Sequence, residues 1–189
     1  MSDRLRFSTA RQVFEAFPTA VDDIEVEPAD EAPLDFARKL LGRRFEALVY
    51  LAYLLPRREA VWWGCQCVRA IAGSRADDAA LRAAEAWVRN PDETTRRAAL
   101  NLGWTRNARL ATTWLALAAG QSGGSIAAED APYVAAPPQA TALDVKAAVI
   151  LAIAQSPPAN QAAWLTACVE AAIRFAEGGD AKVRAPGAL

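Results

Sequence analysis

The sequence predicts an all-α protein, and three observations predict it. Alanine, the strongest helix former, supplies 45 of the 189 residues, while β-branched residues are sparse. Apolar residues recur at helical spacing in successive segments, as at Leu34, Ala37, Leu40 and Leu41, which is the period of one buried helix face. Between those segments stand Gly and Pro signals at Gly42, Pro56, Gly73, Pro91 and Pro157-Pro158, each of which ends a helix or sets up the next. About eight or nine helices follow from this punctuation. At 189 residues one domain with one core is expected.

Thr9 with Gln12 has the form of a capping box and opens a short helix over Ala10–Ala16. Residues 1–31 then form an arm that turns acidic, with Asp22, Asp23, Glu25, Glu27, Asp30 and Glu31 and no basic residue between Arg11 and Arg38. The plain reading is a solvated linker. The sharper one is an acidic arm lying against an arginine-bearing surface of this chain or of a partner.

Residues 32–119 make a first helical half. A helix starting near Pro33 stops at Gly42, and the strongly apolar run 45–54 ends at Pro56, with Tyr50 and Tyr53 on one face. Residues 55–72 follow as the helix around which the rest is organised. At about 100° per residue, Arg58, Glu59, Trp62, Gln66 and Arg69 fall on one narrow polar face. Val61, Trp63, Gly64, Cys65, Cys67, Val68, Ala70, Ile71 and Ala72 fill nearly all the remaining girth, so other helices must wrap it. Asp77 or Asp78 caps the next helix to about Arg89, and Asn90-Pro91-Asp92 caps one over 93–104. Asn107 is expected to cap a helix over 108–119.

The segment 120–140, GQSGGSIAAEDAPYVAAPPQA, cannot form regular helix. It is expected to wrap the surface, with Ile126, Tyr133 and Val134 as pegs and Gly123, Gly124, Ser125 and Tyr133 as its candidate functional residues. It lacks the lysine of a phosphate loop. Thr141 with Asp144 suggests a capping box for a helix over 143–155, and a last helix runs over 160–176 before Gly178-Gly179. These two make a C-terminal pair over 141–178, and 179–189 reads as a frayed tail.

An internal echo links RREAVWWGCQ at 57–66 with RRAALNLGWT at 96–105, offset by 39 residues. The spacing suits paired-helix repeats of the HEAT type, so antiparallel helix pairs are expected, as a HEAT-like stack or an irregular bundle. Gly64 and Gly103 would mark close helix approaches.

Composition narrows the function. There is no histidine, and the net charge is −1, which removes the commonest general base and metal ligand and any overall field for nucleic acid. Arg96, Arg97, Arg106 and Arg109 are a weak basic cluster balanced by acids. Cys65, Cys67 and Cys168 are too few for a disulfide framework and read as small core residues. No signal peptide or membrane span is read from the sequence, so a cytoplasmic protein is expected, with no cofactor and no metal site. An arginine can lie over an indole, and Trp and Arg are the residues most enriched at binding hot spots. The polar face of Arg58, Glu59, Trp62, Gln66 and Arg69 is therefore the candidate partner-binding site; alternatively its arginines satisfy helix-end carbonyls and nearby acids while Trp62 fills a gap. Two other classes stay open: an enzyme with a carboxylate/arginine site near Glu59, and a purely structural homodimer.

The run LPRREAVWWGCQCVRA at 55–70, with the segment 118–152, resembles an uncharacterised bacterial all-helical domain family associated with type VI secretion gene clusters. The resemblance covers 34–176. In that family the loop usually reads Trp-Ser-Gly-Gly-Ser, and Gln121 stands here in place of the tryptophan. The resemblance implies an accessory or adaptor-like cytoplasmic protein whose partner is a secretion component or its cargo.

Overall fold

Helix ends are where this sequence states its structure most directly. The computed structural model describes residues 5–73 and 78–185. Among them are nine α-helices: α1 (Ala10–Ala16), α2 (Pro33–Lys39), α3 (Arg44–Leu54), α4 (Arg57–Ala72), α5 (Ala79–Arg89), α6 (Glu93–Thr105), α7 (Ala111–Gly120), α8 (Ala140–Ala154) and α9 (Pro158–Ala176). Short 3-10 turns cover Pro18–Asp22 and Leu40–Gly42. No strand is present among the described residues; one isolated bridge pairs Ser125 with Ala135.

Three helices start on side-chain caps anticipated from the sequence. The Thr9 hydroxyl accepts the Gln12 amide, and the Gln12 side chain accepts the Ser8 amide at 2.8 Å. Asp78 accepts from Ala80 and Leu81, at 2.8 and 3.1 Å, to open α5; Asp77 lies outside the described residues. Asp92 accepts from Thr95 at 2.8 Å to open α6. Each such cap contributes about 1 kcal/mol by satisfying an otherwise orphaned N–H.

Two expected caps are corrected. Asn107 accepts from the Arg109 amide at 2.9 Å, closing its own short turn, so α7 begins only at Ala111 with Leu110 as an uncapped lead-in. Asn and Asp side chains compete for local backbone in this way. Thr141 donates instead to the Ala118 carbonyl of α7 at 3.2 Å, and Asp144 is buried. Thr141 and Asp144 are thus inside α8, which starts at Ala140 without a side-chain cap.

One apolar cluster includes residues from Ala10 to Val183. α7 packs against α4, α5, α6 and α8, and α4 also touches α9. In a HEAT-like stack each unit would touch only its neighbours. Here α3 packs on α8 and α9, and α4 on α8, so the irregular bundle is the form adopted. The echo at 57–66 and 96–105 is nonetheless structural, because α4 and α6 both pack on α7. A Cβ at Gly64 would lie 2.8 Å from Leu115, and one at Gly103 would lie 2.7 Å from Leu117. A third close approach went unread in the sequence: a Cβ at Gly120 would meet the Leu100 backbone at 2.5 Å. Trp104 of α6 is 51% exposed.

The acidic arm is docked. Phe17, Ala20 and Ile24 are buried, while Asp30 pairs with Arg11, Glu25 with Arg43, Glu31 with Lys39 and Asp23 with Lys146. The pairs of Asp30, Glu25 and Glu31 are exposed and contribute at most about 1 kcal/mol each, while that of Asp23 with Lys146 is half-buried; the apolar residues hold the arm and the charges set its register. The plain reading of a solvated linker is therefore replaced by the sharper one, with the arm on this chain's own basic residues. The tail expectation is corrected likewise over its described part: Ala181 and Val183 are buried, and Arg174 reaches Asp180 and the Lys182 carbonyl. Apolar residues two apart in an extended segment share a face, which lets them dock together.

Tyr50 and Tyr53 face the arm. Tyr53 shares a 3.4 Å contact with the Thr19 hydroxyl, whereas the Tyr50 ring packs on Phe14 and Phe36 with its hydroxyl buried and without a partner among the described residues. Burial pushes that phenol well above its usual range. An unsatisfied buried hydroxyl stabilises nothing, so Tyr50→Phe should be neutral or raise stability by up to about 1 kcal/mol in urea denaturation. A loss larger than about 1 kcal/mol would mean that the hydroxyl has a partner.

Candidate functional site

Arg58 and Trp62 are four residues apart on α4 and therefore neighbours on its surface. Together with Glu59 from α4, Val88 and Arg89 from the end of α5, and Phe175 from the end of α9, they line an open groove of about 340 Å³. That is within the size range of ligand clefts. Arg58 Nε donates to the Val88 carbonyl at 2.7 Å, which satisfies a C-terminal carbonyl of α5 and fixes the side chain across the groove's edge. Trp62 is partly buried and rests on the core. Arg89 is mostly exposed and has only a 3.5 Å contact with Glu85.

The polar face read from the sequence divides into two parts. Arg58, Glu59 and Trp62 line the groove. Arg69 does not; its guanidinium makes a two-pronged pair with Glu85, at 2.5 and 2.8 Å, and Glu85 is buried. Arg69 is thus the counter-charge for a buried carboxylate, a structural role, since a buried charge must be paired. Gln66 is partly buried and does not line the groove. Val88, Arg89 and Phe175 were missed as site residues because they come from two other helices, α5 and α9. Glu85 left a signal: an acid on the buried stripe of Leu81, Ala84 and Val88 requires a cationic partner from another helix.

The 120–140 loop is anchored differently from expectation. Tyr133 and Val134 are 71% and 49% exposed, so they are not pegs; only Ile126 is partly buried. Arginines hold the loop instead. Arg57 donates to the carbonyls of Ser122 and Pro138, Arg96 to those of Gly120 and Ser125, and Arg97 to that of Ala127. A non-helical segment has carbonyls without ladder partners, and guanidinium forks supply the missing donors. The Ser125 hydroxyl accepts from Ala127 and Val134, at 3.1 and 3.2 Å. Gly124 has φ +62° and leaves only 3.0 Å between its missing Cβ position and Arg96, while Gly123 has open space. Gly124 and Ser125 are therefore built into the scaffold. The basic cluster is also committed: Arg96 and Arg97 to Glu93 and the loop, Arg106 to Asp78.

The three cysteines are buried and free. Burial raises the thiol pKa of Cys65, and that of Cys67 beside Cys168, so both are held as thiols, which are poor nucleophiles and poor metal ligands. Among the described residues, no group of three or more His, Cys, Asp or Glu is placed to hold a metal, and no helix is long and apolar enough to cross a membrane.

Fold and groove together define an irregular all-helical bundle with an open Arg/Trp cleft where α4, α5 and α9 meet. The chain belongs to the family of unknown function DUF6931, whose model matches residues 37–176. That span leaves out the N-terminal arm and the tail, and nearly coincides with the 34–176 region of the resemblance. Comparison with curated proteins and with solved structures found no match.

Proposed function

We propose that the protein is a non-enzymatic interaction module that engages a protein partner through the groove of Arg58, Glu59 and Trp62. The observation that carries this reading is the groove itself: a partly buried tryptophan beside an arginine fixed at its edge, with Phe175 and Val88 as further apolar lining. Aromatic and arginine anchors in a partly desolvated cleft are the usual content of binding hot spots. The resemblance to a family associated with type VI secretion gene clusters points to a cytoplasmic accessory or adaptor role, with a secretion component or its cargo as partner.

Affinity capture from the native host tests the reading. The wild-type chain should recover a reproducible protein that Trp62→Ala loses at least tenfold, while the melting temperature of that variant falls by only a few degrees. Arg69→Ala should do the reverse, lowering stability by about 1–2 kcal/mol by leaving the buried Glu85 with the 3.5 Å contact to Arg89 in place of its two-pronged pair, while sparing capture. Recovery of nothing reproducible, or loss of capture only in step with stability, would sink the proposal.

The enzyme reading keeps one supporting observation, since a cavity does lie beside Glu59. Arg58 and Arg89 lie beside it in the same groove. Any activity routed through that carboxylate would vanish in Glu59→Gln. A purely structural homodimer would instead give twice the monomer mass in light scattering.

A further inference from the structure

We infer that the groove is a receptor for an acidic side chain within an extended peptide segment, with an apolar residue beside the acid. The inference rests on the interaction reading above and names the partner's chemistry.

Donors dominate the groove. Arg58 is held only through Nε, so Nη1 and Nη2 have no acceptor among the described residues. The Trp62 indole N–H has no acceptor among them either, whereas the indoles of Trp63 and Trp114 donate to the carbonyls of Cys168 and Ala108. Arg89 adds a second cation. A guanidinium edge with both terminal nitrogens open matches a carboxylate in a two-bond fork. Phe175, Val88 and the face of Trp62 offer apolar contact alongside.

Glu59 sharpens the choice. Two cations against one carboxylate leave a single net positive charge, which suits one carboxylate better than a phosphate dianion. Glu59 also offers a side-chain acceptor for a backbone N–H, and a peptide brings such a donor next to its acidic residue. The groove is open along the surface, so an internal segment can cross it; no closed end is needed for a chain terminus.

A second groove, of about 380 Å³ between α2, α3 and α9, carries Arg38, Arg44 and Arg174 but no tryptophan. There Arg38 is already bound to Asp35 and Glu177, at 2.7 and 2.5 Å. Arg58 differs from it in having no carboxylate partner among the described residues.

A bead-displayed library of seven-residue peptides, acetylated at one end and linked through the other, supplies the test with the full chain as probe. Selected peptides should be enriched in Asp or Glu at one position with an apolar or aromatic residue adjacent. Resynthesised with Gln or Asn in place of the acid, they should bind at least tenfold more weakly. Wild-type affinity should fall as salt rises. Arg58→Lys, which keeps a charge but loses the fork, should weaken binding about fivefold or more and leave Gln-peptide binding unchanged. Selection of neutral or basic peptides, of peptides that need a free C-terminal carboxylate, or of none at all overturns the inference, as does equal binding by Arg58→Lys. If capture from the host still depends on Trp62 while the acid preference is missing, the interaction reading stands and this inference alone falls.

Discussion

Replacing Arg96 by alanine should lower stability by about 2–4 kcal/mol and release the segment that crosses the helix ends. Arg96 is buried on α6 and makes four hydrogen bonds: two to Glu93, at 2.7 and 2.6 Å, and one each to the carbonyls of Gly120 and Ser125, at 2.5 and 2.9 Å. Removing the side chain leaves two carbonyls without donors in a largely dry site, at about 1–3 kcal/mol for each such group if no water reaches it. Glu93 is exposed and regains water, so its loss of a partner adds little. The guanidiniums of Arg96 and Arg97 hold the Glu93 carboxyl down at about 2; in Arg96→Ala it should titrate nearer the usual carboxylate range. Hydrogen exchange over 121–136 should rise with the loss of stability. Two neighbouring glycines calibrate the result. Gly124→Ala must place a Cβ on a residue with φ +62° against Arg96, at about 1–2 kcal/mol, while Gly123→Ala meets open space and should be near neutral. If both glycine variants behave alike, the loop is not fixed on Arg96 in the way described.

The helices were legible because their signals are local. Caps at Thr9, Asp78 and Asp92, and stops at Pro56 and Gly73, act within four residues of themselves, and a sequence displays that range fully. The caps at Asn107 and Thr141 were misread because both side chains had another bond to make. Asn107 turned on its own backbone, and Thr141 reached across to α7. The second case is invisible in sequence, because Ala118 is 23 residues away. Period gave the buried face of α4 almost residue by residue, including Trp63, Cys65 and Cys67. It could not divide the remaining strip, since Arg58 and Arg69 look alike until α5 supplies Val88 to one and Glu85 to the other. The loop shows the same limit. Its exposed Tyr133 resembled an anchor by type, whereas its true anchors are arginines on other elements. The repeated Arg-Arg pair held that information in part: Arg57 and Arg96 occupy equivalent places in the echo and both donate to loop carbonyls.

Asp144→Asn should stabilise the protein at pH 8 and flatten its stability between pH 4 and pH 7. Asp144 is buried on α8, and burial pushes its carboxyl up to about 7. Its one hydrogen-bond donor among the described residues is Gln121 Nε2, at 3.0 Å, and one neutral amide does not replace a carboxylate's hydration. The folded protein therefore keeps a proton that the unfolded chain, titrating near 3.9, has released. The contribution of Asp144 to stability is greatest below pH 4, falls as pH rises toward 7, and is level above it. A shift of about three units corresponds to about 4 kcal/mol at 1.36 kcal/mol per unit, an upper bound that partial hydration reduces to about 2–3. The window is favourable for measurement, because the chain has no histidine and the Glu93 shift acts below pH 4.5 with the opposite sign. Asparagine keeps the shape and the acceptor for Gln121, and it carries no ionisation cost. Urea midpoints of the two proteins should coincide near pH 4 and separate as pH rises, with the variant higher. Parallel curves across that range would mean that Asp144 is ionised in the folded protein throughout. Gln121 should then donate to a carboxylate at every pH in that range, and Gln121→Ala would destabilise equally across it. With a protonated Asp144, that same substitution would cost about 1 kcal/mol or less at pH 5.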